Sequence, residues 1–440
     1  MVKDRVLRVF MNGLPVGRIV RSRKGLLSFA YAPSWLESPY ARPVSLSMPL
    51  TPVPYEGEAV RNFLQNLLPD NGDTLARIQA RFRCESQNPF DLLSAAGRDC
   101  AGAIQFYPED AAPYVAGRMT SRALSSEAVA RLLADYPPRP LGMSAEDDFR
   151  ITLSGAQEKT ALLKKGEAWR LPLGGTPTTH IIKAPLGALQ PYQLDFSLSC
   201  ENGWLCLEIA RAFGLDAARS EVVRFGEVKA LVLERFDRRR SADGTSVIRL
   251  PAEDLCQALG VPPGLRRESD GGPGITAIMG LLRKSERCEK DREAFMAAQV
   301  LFWMLEAQDG HAKNFSIFIG PGGAFRLAPL YDILSASPLI ATGKLKRPKV
   351  KLAMNLLGKN RHNRISDIEP QHFVSTARAC GMATETMTGI LERFARKAGE
   401  VSQQLNAALP ADFPKAVSCP VFDSLRSKAL KIEKYLARER

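Results

Sequence analysis

Cysteine, histidine and long apolar runs are what this chain has least of, and each scarcity removes a class of protein. Eight cysteines are scattered through 440 residues (Cys84, Cys100, Cys200, Cys206, Cys256, Cys288, Cys380 and Cys419), with no C-x-x-C pair. That pattern argues against a disulfide-stapled scaffold and a thiolate zinc site, and reads as reduced cytosolic thiols. Four histidines, none two to five residues from another, argue against a histidine-rich metal site, so any metal should be a hard cation on oxygen ligands. The longest apolar run, residues 294–305, is broken by Gln299 and stops at Glu306, too short for a bilayer core of ~30 Å. Charges at Lys3, Asp4, Arg5, Arg8 and Arg18 leave no apolar core for a secretory signal. A soluble, cytoplasmic protein is expected.

What is present is an ordinary globular composition, 45% apolar and 24% charged, with room for about two to three domains. The net charge of +13 is uneven: residues 341–440 hold nineteen lysines and arginines against nine acidic residues. A field of that sign favours nucleic acid, nucleotide or tRNA, unless it is simply a solvated basic tail.

VLRVFMNGLPVGRIV alternates apolar and polar residues around Asn12-Gly13, a hairpin signal. Helical spacing covers residues 58–68 and 73–83, and the proline-rich YPPRPL at 136–141 marks a boundary, so a small N-terminal α/β subdomain is expected over 1–135. From Phe149 the chain breaks into FRITLSG, KTALLKKG, AWRLPLG and THIIKAP, spaced as an antiparallel meander. A helix over 195–213 and two strands around Gly226-Glu227 complete a β-rich nucleotide-binding lobe, 136–248. Beyond Leu250 the spacing is helical, at 253–259, 275–282, 291–307 and in segments from 371 to 435, interrupted by one strand pair turning at Gly320 to Gly323. The expected class is α+β, with a helical lobe over 249–440 that ends in a basic region.

The chemistry gathers around that late strand pair. QDGHAKN sets Asp309 and Asn314 five apart between an apolar helix and a strand, and Asp332 follows the pair. A hairpin returns its end to its start, so Asp332 should face Asn314. Phosphoryl transfer needs such a set: one carboxylate to orient and deprotonate a hydroxyl, an amide and a second carboxylate to hold Mg²⁺ on nucleotide phosphates. The Asp-to-Asn spacing equals that of the protein-kinase loop H-R-D-x-x-x-x-N. An isolated Asp-Gly is usually a turn, so the weight falls on the upstream lobe. There Lys183, ending THIIKAP, is placed to meet phosphate, although a strand-end lysine more often faces solvent. Ser154, Gly155, Ala156, Gln157, Glu158 and Lys159 form a turn whose N–H groups can converge on an anion, though it is neither a Walker A nor a G-x-G-x-x-G sequence. ALVLERFDRR runs a buried strand into Glu234, Arg235 and Phe236, as a hinge pairing with adenine would, or as a strand ending in a charged turn.

In order, FRITLSGAQEK, TTHIIK, ERFDRR, ESDGGPG, DGHAKNFS and YDI resemble the HipA toxins, serine/threonine kinases of bacterial type II toxin-antitoxin operons. YARPVSLSMPL and NLLPD extend the resemblance into the N-terminal unit. It implies a two-lobed protein-kinase-like fold, ATP and Mg²⁺ as cofactors, Asp309 as catalytic base, and metal at Asn314 and Asp332. It puts residues 154–159 and Lys183 on the phosphates, Glu234, Arg235 and Phe236 at adenine, and His311, Ala312, Lys313, Asn314 and Tyr331 around the nucleotide. Autophosphorylation at Thr152 or Ser154, ejecting the loop and switching the kinase off, is also implied. So are a HipB-like helix-turn-helix antitoxin, operator DNA reached through the toxin-antitoxin complex, and a protein substrate in translation, an aminoacyl-tRNA synthetase of the glutamyl type. Two positions depart from the family. Asn202-Gly203 stands where Asn-Glu is usual, leaving Glu201 or Glu208 to pair with Lys183. Arg378 keeps part of a basic DNA-contacting cluster, with Gly381 where another basic residue would stand. A small-molecule kinase of the aminoglycoside type shares the loop logic, and a non-catalytic corepressor is the alternative outside enzymology; intact Asp309, Asn314, Asp332 and Lys183 argue against the latter.

Overall fold

Asn12-Gly13 turns as its sequence requires: both residues take positive φ, 48° and 85°, and Arg5–Met11 pairs antiparallel with Leu14–Arg21. In this computed structural model, which describes residues 4–115, 117–134, 153, 159–189 and 194–439, the hairpin sits in a five-stranded sheet with Leu27–Tyr31, Tyr55–Glu56 and Ile104–Pro108. Leu7, Val9, Ile19 and Phe29 from the sheet pack with Leu64 and Leu93 from the helices Glu58–Asn66 and Pro89–Ala96. Asn71 caps the next helix, Gly72–Phe82, accepting from the N–H groups of Asp73 and Thr74. The YPPRPL passage, and FRITLSG apart from Leu153, lie outside the described residues.

The chain clusters into two units, one of Met1–Ala184, Val223–Gly264 and Ser316–Phe325, the other of Pro185–Val222, Leu265–Phe315 and Arg326–Arg440. In the first, the short strands do not form the expected meander. The six-stranded sheet runs Ser220–Phe225, Val228–Glu234, His180–Lys183, Thr160–Lys165, Ala168–Pro172, Ser121–Leu124. Thr160–Lys165 is the pivot, because it pairs with Ala168–Pro172 on one side and His180–Lys183 on the other. The free edge of Ala168–Pro172 is taken by Ser121–Leu124, a strand with no alternation strong enough to announce it.

Five buried charges join the N-terminal subdomain to this sheet inside the first unit. Asp99 receives Arg238 at 2.9 Å and Arg249 at 2.8 Å, with Arg235 at 3.5 Å, while Arg235 also grips Asp237 at 2.7 Å. Thr178 donates to Asp99 from its backbone N–H and its hydroxyl, and the arginines donate to the carbonyls of Cys100, Gly102 and Gly175. Burial opposes the charge on Asp99, but Arg238, Arg249 and Arg235 outweigh it and hold the carboxyl below the usual range. Charges removed from water persist only when paired and hydrogen-bonded this fully.

The second unit is mainly helical: Ser199–Ala212, Ile275–Leu282, Cys288–Met304, Pro370–Ala379, Thr384–Ala408 and Lys415–Glu439. Phe295 to Met304 are buried without exception, with Trp303 against Phe373 and Phe213 stacked on Phe394 at 4.5 Å. Three expected helices start or end elsewhere. The 195–213 segment opens with a strand residue pair before the helix begins at Ser199. At 253–259, Glu253 pairs with Ile317 in a sheet and Asp254 caps a short helix from Leu255. The 291–307 helix runs Cys288–Met304, stopped where Glu306 takes φ of 54°. A hairpin of Lys351–Leu357 and Arg361–Arg364 was not expected. Among the described residues no helix is long and apolar enough to cross a membrane.

Candidate active site

The loop after the Cys288–Met304 helix is built by its own backbone. Ala307 N–H closes the helix on Phe302 O at 2.8 Å, and His311 N–H bonds back to Asp309 O at 2.8 Å. Gly310 is required sterically: a Cβ there would come within 2.3 Å of the Phe302 ring. Asn314 Nδ2 donates to Asp309 O at 2.8 Å, which fixes the five-residue spacing as a closed loop. The Asp309 side chain is half exposed and its Oδ1 is bound by the Arg267 guanidinium, which also donates to Gln308 O at 3.1 Å. His311 Nε2 lies 3.7 Å from the same Oδ1. Burial pushes His311 down, Asp309 pulls it up, and Arg267 and Arg266 push it down again, so its net direction is toward the neutral ring. Ala312, Lys313 and Asn314 form a buried 3₁₀ turn.

Asp332 reaches this loop through its neighbours in the chain. Tyr331 Oη donates to Lys313 O at 2.9 Å, and Ser335 bridges to Ala307. Asp332 itself holds φ of 57°, a left-handed conformation uncommon outside glycine. It is kept there from both sides: Leu330 is strapped to Asp216 and Ala218, and Ser335 exchanges two bonds with Asn202 at 2.8 and 3.0 Å. Asn202 therefore anchors the Asp332 segment to the Ser199–Ala212 helix. Of the two glutamates considered for Lys183, Glu208 is engaged by Arg211 within its own helix, whereas Glu201 is buried.

In the first unit, Lys183 is buried at the end of its strand, opposite Leu231. Glu234 is exposed at the end of the partner strand, and Phe236 meets Phe318 edge-on at 5.7 Å. Arg235 departs from a simple hinge. Its side chain belongs to the buried charge cluster, its N–H donates to Thr179 O, and its C=O accepts from Arg238 N–H. Lys159 precedes the Thr160–Lys165 strand, while Thr152 and residues 154–158 lie outside the described residues. Arg378 is exposed on the last turn of Pro370–Ala379. Gly381, expected as a missing basic contact, is instead that helix's stop: φ is 67°, and a Cβ would strike Arg283 at 2.4 Å. Arg267 escaped the sequence reading because it pairs with Asp309 across forty-two positions, where no local pattern exists.

A β-rich lobe carrying a buried strand-end lysine and a helical lobe carrying an Asp-x₄-Asn loop with a following aspartate are the parts of a protein-kinase-like fold. Residues 151–402 match the HipA-like C-terminal domain and residues 7–107 the HipA N-terminal domain. The chain belongs to the HipA family, and it is a serine/threonine kinase of that toxin family. It is 37% identical over 335 residues to the putative kinase Y4mE of Sinorhizobium fredii, covering 75% of this chain and 77% of that protein. It is 29% identical over 350 residues to the serine/threonine-protein kinase toxin HipA of Shewanella oneidensis, covering 76% of each. The solved Shewanella oneidensis complex of HipA, HipB and operator DNA matches in fold, with a TM-score of 0.81, 23% identity, and coverage of 98% of this chain and 97% of that one.

Proposed function

We propose that this kinase transfers the γ-phosphoryl group of Mg-ATP to a serine or threonine hydroxyl of a protein, as the toxin of a HipBA-like module. The observation that carries the reading is Asp309: its side chain is half exposed and Arg267 and His311 sit on its Oδ1, which leaves Oδ2 to accept the proton of an incoming hydroxyl. Asn314 has committed its Nδ2 to Asp309 O and keeps Oδ1, which with the Asp332 carboxylate is the hard donor set Mg²⁺ takes beside phosphate oxygens and water. Bound there, the metal supplies charge neutralisation on the β and γ phosphates. Lys183, with the 154–159 turn, holds phosphate oxygens; adenine pairs with the backbone of Glu234 and Phe236, because both backbone groups of Arg235 are taken.

The substrate is an aminoacyl-tRNA synthetase of the glutamyl type, and its phosphorylation stops translation. By likeness to the Shewanella complex, a HipB-like antitoxin and operator DNA are partners, with Arg378 and the exposed Lys344, Lys346, Lys349 and Lys351 on the DNA side. Phosphate added at Thr152 or Ser154 switches the kinase off by like-charge repulsion from ATP.

The test is γ-labelled ATP in a bacterial lysate, read by gel autoradiography and phosphoproteomics. Label should enter a protein with the wild type and not with Asp309→Ala; label confined to small molecules would overturn the protein-kinase reading. Phosphate found on the purified active chain only outside Thr152 and Ser154 would overturn the self-inactivation.

A further inference from the structure

The helical unit holds a second polar site that phosphoryl transfer does not use. Glu306, three residues ahead of Asp309, is fully buried. Ser337 Oγ donates to its Oε2 at 3.0 Å, and Arg347 Nε lies 3.1 Å from its Oε1. A buried carboxylate needs such partners. Lys428, on the Lys415–Glu439 helix, is 5% exposed, and its ammonium lies 5.0 Å over the Trp303 ring. Burial pushes Lys428 down to about 8 while Glu306 pulls it up, so it stays charged at neutral pH. Among the described residues its ammonium has a ring and a nearby carboxylate as neighbours rather than a hydrogen-bonded acceptor.

These side chains, with Ser427 and Ile340, line a cavity of about 280 Å³. Its charge does not balance. Glu306 contributes one negative charge, Arg347 and Lys428 two positive ones, and the exposed Asp423 is taken by Arg426 at 2.6 Å. Arg347 meets Glu306 as an ion pair without a hydrogen bond to its Oε1, its terminal N–H groups form a fork, and Ser427 adds a hydroxyl. An ammonium, a guanidinium fork and a hydroxyl are complementary to the terminal oxygens of a phosphoryl group.

We propose that this cavity binds a small phosphate-bearing ligand, through Lys428 Nζ, the Arg347 guanidinium and Ser427 Oγ. The ligand is inorganic phosphate or a small phosphate monoester, and two probes separate the sources. Inorganic phosphate and O-phosphoserine, titrated in turn into the full chain, are followed by tryptophan emission, which changes as Lys428 is drawn off the Trp303 ring. At least one probe should give a saturable change that Trp303→Phe lacks. Lys428→Met and Arg347→Gln should each weaken it by about tenfold or more, and Lys183→Met should leave it unaltered. Arg347 is half exposed, so its variant carries the test if Lys428→Met does not fold. A response kept in Lys428→Met and Arg347→Gln but lost in Lys183→Met would assign the anion to the nucleotide site and overturn the proposal. So would the lack of any saturable response to either probe up to about 10 mM.

Discussion

Asp99 in the first unit and Asp309 in the second are both aspartates bound by arginine, and they differ in nearly everything else. Asp99 is buried, has three arginines and Thr178 around it, and uses both carboxylate oxygens. Asp309 is half exposed, has Arg267 and His311 on one oxygen, and leaves the other to solvent. A saturated carboxylate holds protein parts together and cannot take a proton without breaking the cluster. A half-satisfied one at an exposed loop costs little to keep ionised and retains an oxygen for chemistry.

The comparison breaks most sharply in activity. Asp309→Ala should lower phosphoryl transfer by about a thousandfold or more, with Mg-ATP affinity by calorimetry little altered and the thermal midpoint nearly unmoved, since a surface ion pair contributes about 0–1 kcal/mol. Asp99→Ala should do the reverse to stability, leaving three buried guanidinium groups short of an anion and lowering unfolding free energy by about 3–5 kcal/mol in urea titration. Equal stability losses in the two variants would erase the distinction.

Gly310→Ala sharpens it on the loop side. The added methyl meets the Phe302 ring, so a stability loss of about 1–3 kcal/mol is expected, accompanied by reduced turnover because Asp309 moves with the backbone. Arg267→Gln, which releases Asp309 without touching the core, should cut kcat by about tenfold and leave the KM for ATP unchanged; a shift in KM alone would make Arg267 a nucleotide ligand instead.

The last contrast concerns a buried acid that no cation meets among the described residues. Burial raises Glu253 from 4.5 to about 8, against the Leu46 N–H and Ser45 bonds that lower it. It is therefore protonated in the fold, while the unfolded chain ionises it above about 4.5. Its stabilising contribution is complete below that value and is lost as pH rises through about 8. Stability measured across this window should decline, and Glu253→Gln should flatten the decline; an unchanged slope would mean that Glu253 is ionised in the fold, as Asp99 is.

Sequence by itself determined what local chemistry dictates. Asn12-Gly13 had one favourable hairpin geometry, the apolar 294–305 run had to be a buried helix, and the Asp-x₄-Asn spacing closed a loop because Asn314 reaches back to Asp309 O over one turn. HipA-like strings could be matched because such local constraints recur. Tertiary structure decided the rest. Which strands flank Thr160–Lys165 was settled by pairing on both of its edges, with Ala168–Pro172 and His180–Lys183, and the 253–259 helix yielded two residues because Glu253 gained a sheet partner at Ile317. Arg235 took its place in a buried charge cluster once Asp237, Asp99 and Thr179 surrounded it. Arg267 on Asp309 and Arg347 beside Glu306 pair across intervals with no period. Helix and hairpin signals come from contacts within a few residues, which a sequence displays; the partner of a charge is set by burial, which exists only after the chain has closed around it.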